Sequence, residues 1–256
     1  MQIYEPNGRA REYSPLALNY FKGCTHNCRY CYVPAIFSRY DKTYNHYEVS
    51  ADIDFEKIEK SAKKFQGCGK QILLSFTGDP YCGYSPETTT KVLEILLKYQ
   101  HKVAILTKGG SRCLNNLDLF KKFNKIKVGA TLTFDNDNDS LEWEPGAALP
   151  YDRIETLKIL SENGIKTFVS FEPVIFPEQS LHLLELVSEI ADHVKIGKLN
   201  NYKGIDKKTD WADFISKSVS ICRKNNTKFY IKDDLFFYNK GTIIYPNERN
   251  KDYLSQ

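Results

Sequence analysis

Three observations predict an α/β fold built on parallel strands. Short apolar runs alternate with amphipathic helical patterns along the chain. The unusual polar residues cluster where those runs end. No apolar run reaches the roughly 18 residues that a membrane-spanning helix needs. The candidate strands are residues 16–21, 71–76, 102–106, 127–134, 167–171 and 193–196, with 228–231 a seventh. The first ends at Gly23, the second at Thr77-Gly78-Asp79-Pro80 and the third at Thr107-Lys108-Gly109-Gly110. The fourth runs into the acidic loop 135–140, the fifth ends at Glu172-Pro173 and the sixth at Gly197-Lys198. Helical patterns lie between them at 53–65, 86–99, 154–160 and 181–190. In the second of these, Val92, Ile95, Leu96 and Tyr99 share a face, and Ser85-Pro86 suits a helix start. Asn163-Gly164 stops the third. Six strand–helix units predict a closed or partly closed barrel with its chemistry on the loops at the strand C-termini.

Of the 256 residues, 41% are apolar and 27% charged, and 15 Phe, 17 Tyr and 2 Trp demand burial. That composition excludes disorder as the main state. Seven cysteines are too few, and odd in number, for a disulfide-stapled secreted scaffold. Residues 1–11 are polar, without the apolar stretch of a secretory signal, so cytoplasmic location with reduced thiols is expected. Residues 199–256 hold 11 Lys/Arg and 7 Asp/Glu, a difference of +4 that equals the net charge of the whole chain. A basic tail suits a nucleic-acid partner, and equally a solvated lysine-rich surface.

The most specific pattern is Gly23-Cys24-Thr25-His26-Asn27-Cys28-Arg29-Tyr30-Cys31-Tyr32. Cys24, Cys28 and Cys31 follow the first strand with CxxxCxxC spacing, so three thiolates on one turn can converge on a soft metal centre. Three ligands leave one iron of a four-iron cluster open, which suits catalysis. Zinc held by the three cysteines and His26 is an alternative, though cramped on one short loop. A disulfide with a spare thiol and ordinary buried cysteines are the others.

This motif, with an aromatic residue directly before its third cysteine, resembles that of the radical S-adenosylmethionine (SAM) superfamily. The strings KGCTHNCRYCYVP, TGDP, LTKGG, DRIETLKILSENGIKT and SFEPV resemble the branch that contains spore photoproduct lyase and the DNA repair photolyase-like proteins. The resemblance covers about residues 13–200. It implies a partial (βα)6 TIM-like barrel over residues 1–200, with 201–256 as a short α/β extension packed on it. It also implies one 4Fe-4S cluster on Cys24, Cys28 and Cys31, and reductive SAM cleavage to a 5′-deoxyadenosyl radical that abstracts hydrogen from a substrate.

The resemblance assigns further residues. Thr77, Gly78 and Asp79 stand where the family holds the SAM amino group, and Lys108 where it holds the SAM carboxylate. Glu172, costly at an apolar strand end unless paired, is expected to meet SAM ribose hydroxyls or Lys198. Thr131 and Thr133 share one strand face. Tyr30 is expected beside the cluster and the SAM adenine, and Tyr30 and Tyr32 match a tyrosine pair linked to radical relay.

The pattern departs from the lyase branch at one point: Phe76 stands at the position of the hydrogen-donating cysteine. Cys82, on the same loop, is the candidate replacement. Residues 135–139 lack the glycine and glutamate of a calcium loop and read as a solvated acidic loop. Trp143-Glu144-Pro145-Gly146 is either a substrate cover or a core plug. Cys68, Cys113 and Cys222 have no pairing spacing, so one cluster is expected.

The leading expectation is a radical SAM enzyme acting on DNA, RNA or a nucleotide, fed by a reductase or flavodoxin-type electron donor. Modification of a peptide or small metabolite is the rival within enzymes. A non-catalytic zinc- or cluster-bearing nucleic-acid binding module is the rival outside them. The tail aromatics Phe229, Tyr230, Phe236, Phe237, Tyr238 and Tyr245, interleaved with Lys228, Lys232 and Lys240, suit either base stacking or core packing.

Overall fold

The computed structural model describes residues 2–20, 23–46, 53–83, 86–200, 202 and 209–253. Eight strands form one open sheet in chain order. They are β1 (Ile3–Tyr4), β2 (Leu16–Leu18), β3 (Gln71–Leu74), β4 (Lys102–Thr107), β5 (Ile126–Thr131), β6 (Lys166–Val174), β7 (His193–Lys198) and β8 (Lys228–Ile231). β1 is antiparallel to β2, and every later pair is parallel. The architecture is the expected α/β partial barrel. The helices are α1 (Val33–Ser38), α2 (Phe55–Lys64), α3 (Pro86–Lys98), α4 (Leu117–Phe120), α5 (Asp137–Trp143), α6 (Pro150–Glu162), α7 (Pro177–Val187), α8 (Trp211–Lys224) and α9 (Asp233–Phe236). The expected cap Ser85 lies outside the described residues, and so does Phe21 at the end of the first predicted strand. Among the described residues no helix is long and apolar enough to cross a membrane.

Alternation along each strand sorts side chains into two faces. Outward-facing Leu16, Leu18, Ile72, Leu74, Val103 and Ile105 pack against Ile58, Val92 and Leu96 of α2 and α3. Val169, Phe171, Val194, Ile196, Phe229 and Ile231 do the same beneath α6, α7 and α8. Both faces are covered, which is why these strands read as continuous apolar runs. On β5, Val128, Ala130 and Leu132 belong to these outer cores, so Lys127, Gly129, Thr131 and Thr133 face inward. This settles the orientation of Thr131 and Thr133.

The interior is chemically lopsided. Leu73, Ala104, Leu106, Phe76 and Tyr13 form an apolar patch on the β3–β4 side. Lys127, His193, Lys195, Tyr230 and Lys232 are buried on the β5–β8 side. The segment before β2 supplies partners for the charged side. Lys195 Nζ donates to the Glu12 carbonyl at 2.5 Å, and Tyr230 donates its hydroxyl to Glu12 Oε1 at 3.0 Å. The C-terminal stretch caps the rest with backbone carbonyls. Lys195 Nζ reaches Lys251 O at 2.9 Å, His193 Nε2 lies 2.9 Å from Asn250 O, and Lys127 Nζ bonds Asp252 O.

One expectation changes and two open ones are decided. The 228–231 run forms β8, which continues the sheet alongside β7 as a seventh parallel strand. The sequence 135–140 is not wholly loop: Asn136 accepts from the Asp139 N–H and starts α5. The tail aromatics divide, with Phe229 and Tyr230 in the core and Phe237, Tyr238 and Tyr245 exposed.

The buried ammonium of Lys127 sets a pH dependence. Burial pushes it down to about 8, against the opposing pull of Asp252. In the unfolded chain it titrates near the ordinary lysine value of 10.5, so between these values the unfolded state binds more protons and stability rises with pH. Lys127→Met is expected to raise the melting temperature at pH 7 and flatten its rise between pH 8 and 10, read by calorimetry across that range.

Candidate active site

The cysteine turn is set by its backbone. Gly23 takes φ +96° after β2, Asn27 takes φ +50°, and the Cys31 N–H bonds Cys28 O at 3.0 Å. The turn rests on the loop after β5. The Gly146 N–H donates to His26 O at 3.0 Å, the Arg29 N–H donates to Trp143 O at 2.9 Å, and His26 Nδ1 lies 2.9 Å from Gly146 O. A Cβ on Gly146 would stand 2.0 Å from Thr25 O, so only glycine permits this approach. Two hydroxyls tie the next segment to the end of β3. Tyr32 donates to Phe76 O at 2.6 Å, and Tyr44 to Thr77 O at 3.1 Å.

Three carboxylates hold the mouth together. Asp79 accepts from the Tyr81 N–H at 2.8 Å, the Thr107 hydroxyl at 2.6 Å and the Lys108 N–H at 2.7 Å, and lies 3.2 Å from His26 Nε2. Burial opposes its ionisation, but His26, Thr107 and the Lys108 N–H outweigh it and hold the carboxyl well below the usual range. Its oxygens are thus engaged within the protein, in an Asx-type turn that links three strand ends. Glu144 is buried, pairs with Arg153 at 2.6 Å and accepts from the Tyr30 hydroxyl. Burial opposes its ionisation, yet Arg153 and Lys108 keep it ionised below the usual range. Glu172 takes Lys232 at 2.7 Å on both oxygens and the Tyr13 hydroxyl at 2.5 Å. This corrects the expected pairing with Lys198, whose Nζ sits 5.5 Å from the centre of the Tyr238 ring. A register shift between Phe171 and Val174 accompanies the turn of Glu172 toward β8.

Lys108 has a different character. Its Nζ lies 5.5 Å from the centre of the Tyr30 ring and makes no hydrogen bond or ion pair among the described residues. Burial would lower its pKa, but Cys28, Glu144 and Asp79 raise it, so the ammonium stays charged. Tyr30 is half-buried, its hydroxyl also 3.3 Å from Thr133 Oγ1. Burial and the Glu144 charge push its pKa far up. The ring of Tyr32 is 53% exposed.

All three motif cysteines are half-buried, and no group of three metal-ligating side chains is gathered among the described residues. Burial pushes the Cys28 thiol up to about 12 and raises that of Cys31. Cys24 instead hydrogen-bonds Cys82, which with burial raises its pKa further. The donor set still fits an iron–sulfur cluster. It is sulfur only, lies on one turn at a strand C-terminus, and has Lys108 close enough to favour negative charge on Cys28 and Cys31. His26 does not fit zinc ligation, because both its ring nitrogens face protein oxygens. Cys82 is 1% exposed and turned toward Cys24, so it is not presented at the mouth as a hydrogen donor would be.

Glu144, Arg153, Tyr13 and Lys232 complete the site without having been singled out for it by pattern. Trp143-Glu144-Pro145-Gly146 was a visible oddity. Its Trp143 proves partly buried against Phe134, 6.1 Å between ring centres, and Tyr202, 5.5 Å. Glu144→Gln leaves the buried Arg153 guanidinium without a counter-charge, so a loss of about 3 kcal/mol is expected in denaturant unfolding. Glu144→Gln with Arg153→Met is expected to recover part of it.

Known proteins resemble the chain at two levels. The family model described as the radical SAM superfamily matches residues 18–190. The chain is 30% identical over 229 residues to the uncharacterized protein MJ0683 of Methanocaldococcus jannaschii, spanning 82% of this chain and 86% of that one. It is 28% identical over 191 residues to ORF301 of Acidianus two-tailed virus, spanning 69% and 63%. Among solved structures, a spore photoproduct lyase mutant with bound AdoMet and dinucleoside spore photoproduct superposes with a TM-score of 0.61 at 14% identity, over 86% of this chain and 63% of that one. Streptococcus suis SuiB bound to S-adenosylmethionine superposes at 0.66 and 17% identity, over 90% and 53%. These structural likenesses establish the barrel, and the sequence match over two thirds of its length places the chain in the radical SAM superfamily.

Proposed function

We propose that this chain is a radical SAM enzyme whose single 4Fe-4S cluster is held by Cys24, Cys28 and Cys31, and whose substrate is a nucleic acid or nucleotide. The observation that carries the first half is Lys108, a charged ammonium beside the cysteine turn that pairs with no carboxylate among the described residues. Its chemistry is that of a partner for a carboxylate, the group that SAM brings to such a turn. When bound, the cluster and SAM supply a 5′-deoxyadenosyl radical. The protein supplies position. Thr77 and Gly78 line the strand end beside the turn, and Tyr32 and Tyr44 fix that backbone. Asp79 acts through the Lys108 backbone, and Tyr30 lies beneath the Lys108 ammonium with its proton held against Glu144. Thr131 and Glu172 stand on the inner strand ends of the same mouth, where a nucleoside's hydroxyls would meet polar groups, and Lys198 closes the end of β7 with its Nζ over Tyr238.

Exposed aromatics support the substrate class. Phe237 is 84% exposed and Tyr238 38%. They follow α9 directly, between Lys198, whose Nζ sits over Tyr238, and the exposed Lys240. Rings alternating with cations suit base stacking and phosphate contact. The lyase neighbour, which holds a dinucleoside, points the same way, whereas SuiB has been captured with its precursor peptide SuiA. A peptide substrate is therefore the second reading. A reductase or flavodoxin-type protein would supply the electron.

Anaerobic iron and sulfide loading is expected to give a brown protein that releases 5′-deoxyadenosine from SAM under dithionite. Cys28→Ala should lose both iron and product, and retention of both would refute the ligand assignment. Single-stranded oligonucleotides should be retained with an affinity that falls as salt rises, and Phe237→Ala with Lys240→Ala should weaken it at least several-fold. Retention of SuiA-like peptides but of no oligonucleotide would favour the second reading.

A further inference from the structure

Cys82 is a buried thiol that the proposed reaction does not use. It lies in the loop after β3, 1% exposed, and shares a hydrogen bond with Cys24 of the turn after β2. The two backbones are fastened to each other at this point. The Thr25 hydroxyl donates to the Cys82 carbonyl, and a Cβ on Gly83 would stand 3.3 Å from Thr25 Oγ1. His46 Nδ1 lies 3.3 Å from Cys24 O on the other side. Two cysteines distant in sequence therefore sit in adjoining loops, Cys24 packed against the same buried cluster that contains Cys82, on a backbone joined by a bond that depends on neither thiol. Cys28 and Cys31 instead have Lys108 as their charged neighbour, and their backbone N–H···O bond closes the motif's own turn.

We propose that Cys24 and Cys82 form a disulfide site in the cluster-free chain, with small disulfides as its oxidant. Cys24, the half-buried member, attacks one sulfur of a low-molecular-weight disulfide and displaces the first thiolate. The Cys82 sulfur then attacks the Cys24 sulfur and displaces the second. Two protein S–H bonds are lost and one S–S bond forms; the oxidant's S–S bond is reduced to two thiols, which take the two protons. The inference rests on the reading of Cys24 as a cluster ligand. A turn whose Cys24 is tied to Cys82 keeps two thiols and cannot hold a cluster that needs three. Oxidation then blocks assembly without consuming the motif irreversibly, and a dithiol reductant restores it.

The test uses the full-length, cluster-free chain under anaerobic conditions. It is treated with oxidised glutathione, its remaining thiols are alkylated, and it is digested without reductant for mass spectrometry. Iron uptake is measured on a parallel sample after the oxidant is removed. A Cys24–Cys82 linked peptide is expected, with Cys28 and Cys31 alkylated. Iron uptake should fall at least tenfold and return after dithiothreitol. Cys82→Ala and Cys82→Ser should load iron like the parent before oxidation, and after it should stop at a mixed disulfide of Cys24 with glutathione, seen as a mass increase on the Cys24 peptide; an unmodified Cys24 in these variants would overturn the proposal. Cys24 linked to Cys28 or Cys31, Cys24 found alkylated, or undiminished iron uptake by the oxidised chain would overturn the proposal. If the reduced, untreated chain takes up no iron, the cluster reading fails, and the peptide map still decides the cross-link.

Discussion

A carboxylate taken out of water is costly unless donors surround it, and the mouth of this barrel contains three that are wholly or largely buried. Each draws donors from other segments of the chain. Asp79 recruits the end of β4 and the His26 side chain, Glu144 recruits α6 and Tyr30, and Glu172 recruits β8 and Tyr13. The loops at the strand C-termini are thereby assembled into one rim. The cysteine turn is seated on that rim through His26 and Tyr30. Its position thus follows from electrostatic necessity as much as from its own spacing.

The open edge of the sheet imposes a second constraint. A full parallel barrel would fill its interior with apolar layers. Here β8 does not pair with β1, and the gap is filled by the segment ending at Glu12 and Tyr13. Those residues meet the buried lysines of β7 and of the β8 end, while carbonyls of 250–252 cap His193, Lys195 and the β5 lysine Lys127. One half of the interior is a packed apolar wall, and the other half is a wet-chemistry wall turned inward. The interior thus sets a polar lining, held by internal hydrogen bonds, next to an apolar one.

The strand–helix rhythm was legible because covered parallel strands are apolar on both faces, as in Gln71–Leu74 and His193–Lys198. The cysteine turn was legible because its spacing is local. What could not be read was pairing between elements far apart in sequence. Glu172 meets Lys232 across 60 residues, and Glu144 meets Tyr30 across 114. Register shifts such as that at Phe171–Val174 leave no clear mark in composition. Asp79 was legible as important but not for its role, since an Asx turn and a ligand-binding aspartate look alike until their donors are known. Five helices, α1, α4, α5, α8 and α9, lie outside the predicted helical patterns: α1 has six residues, α4 and α9 four each, α5 opens with four polar residues, and α8 lies in the tail that was read mainly for its charge and aromatics.

The central claim is that the cysteine turn and Lys108 together form one site for a cluster and SAM. Electron paramagnetic resonance of the dithionite-reduced, iron-loaded protein tests it most directly, before any turnover. The account predicts a reduced-cluster signal that changes shape when SAM is added, with the change requiring much higher SAM in Lys108→Ala while the signal without SAM stays the same. A signal indifferent to SAM, or a protein that holds zinc and gives no cluster signal at all, would contradict it.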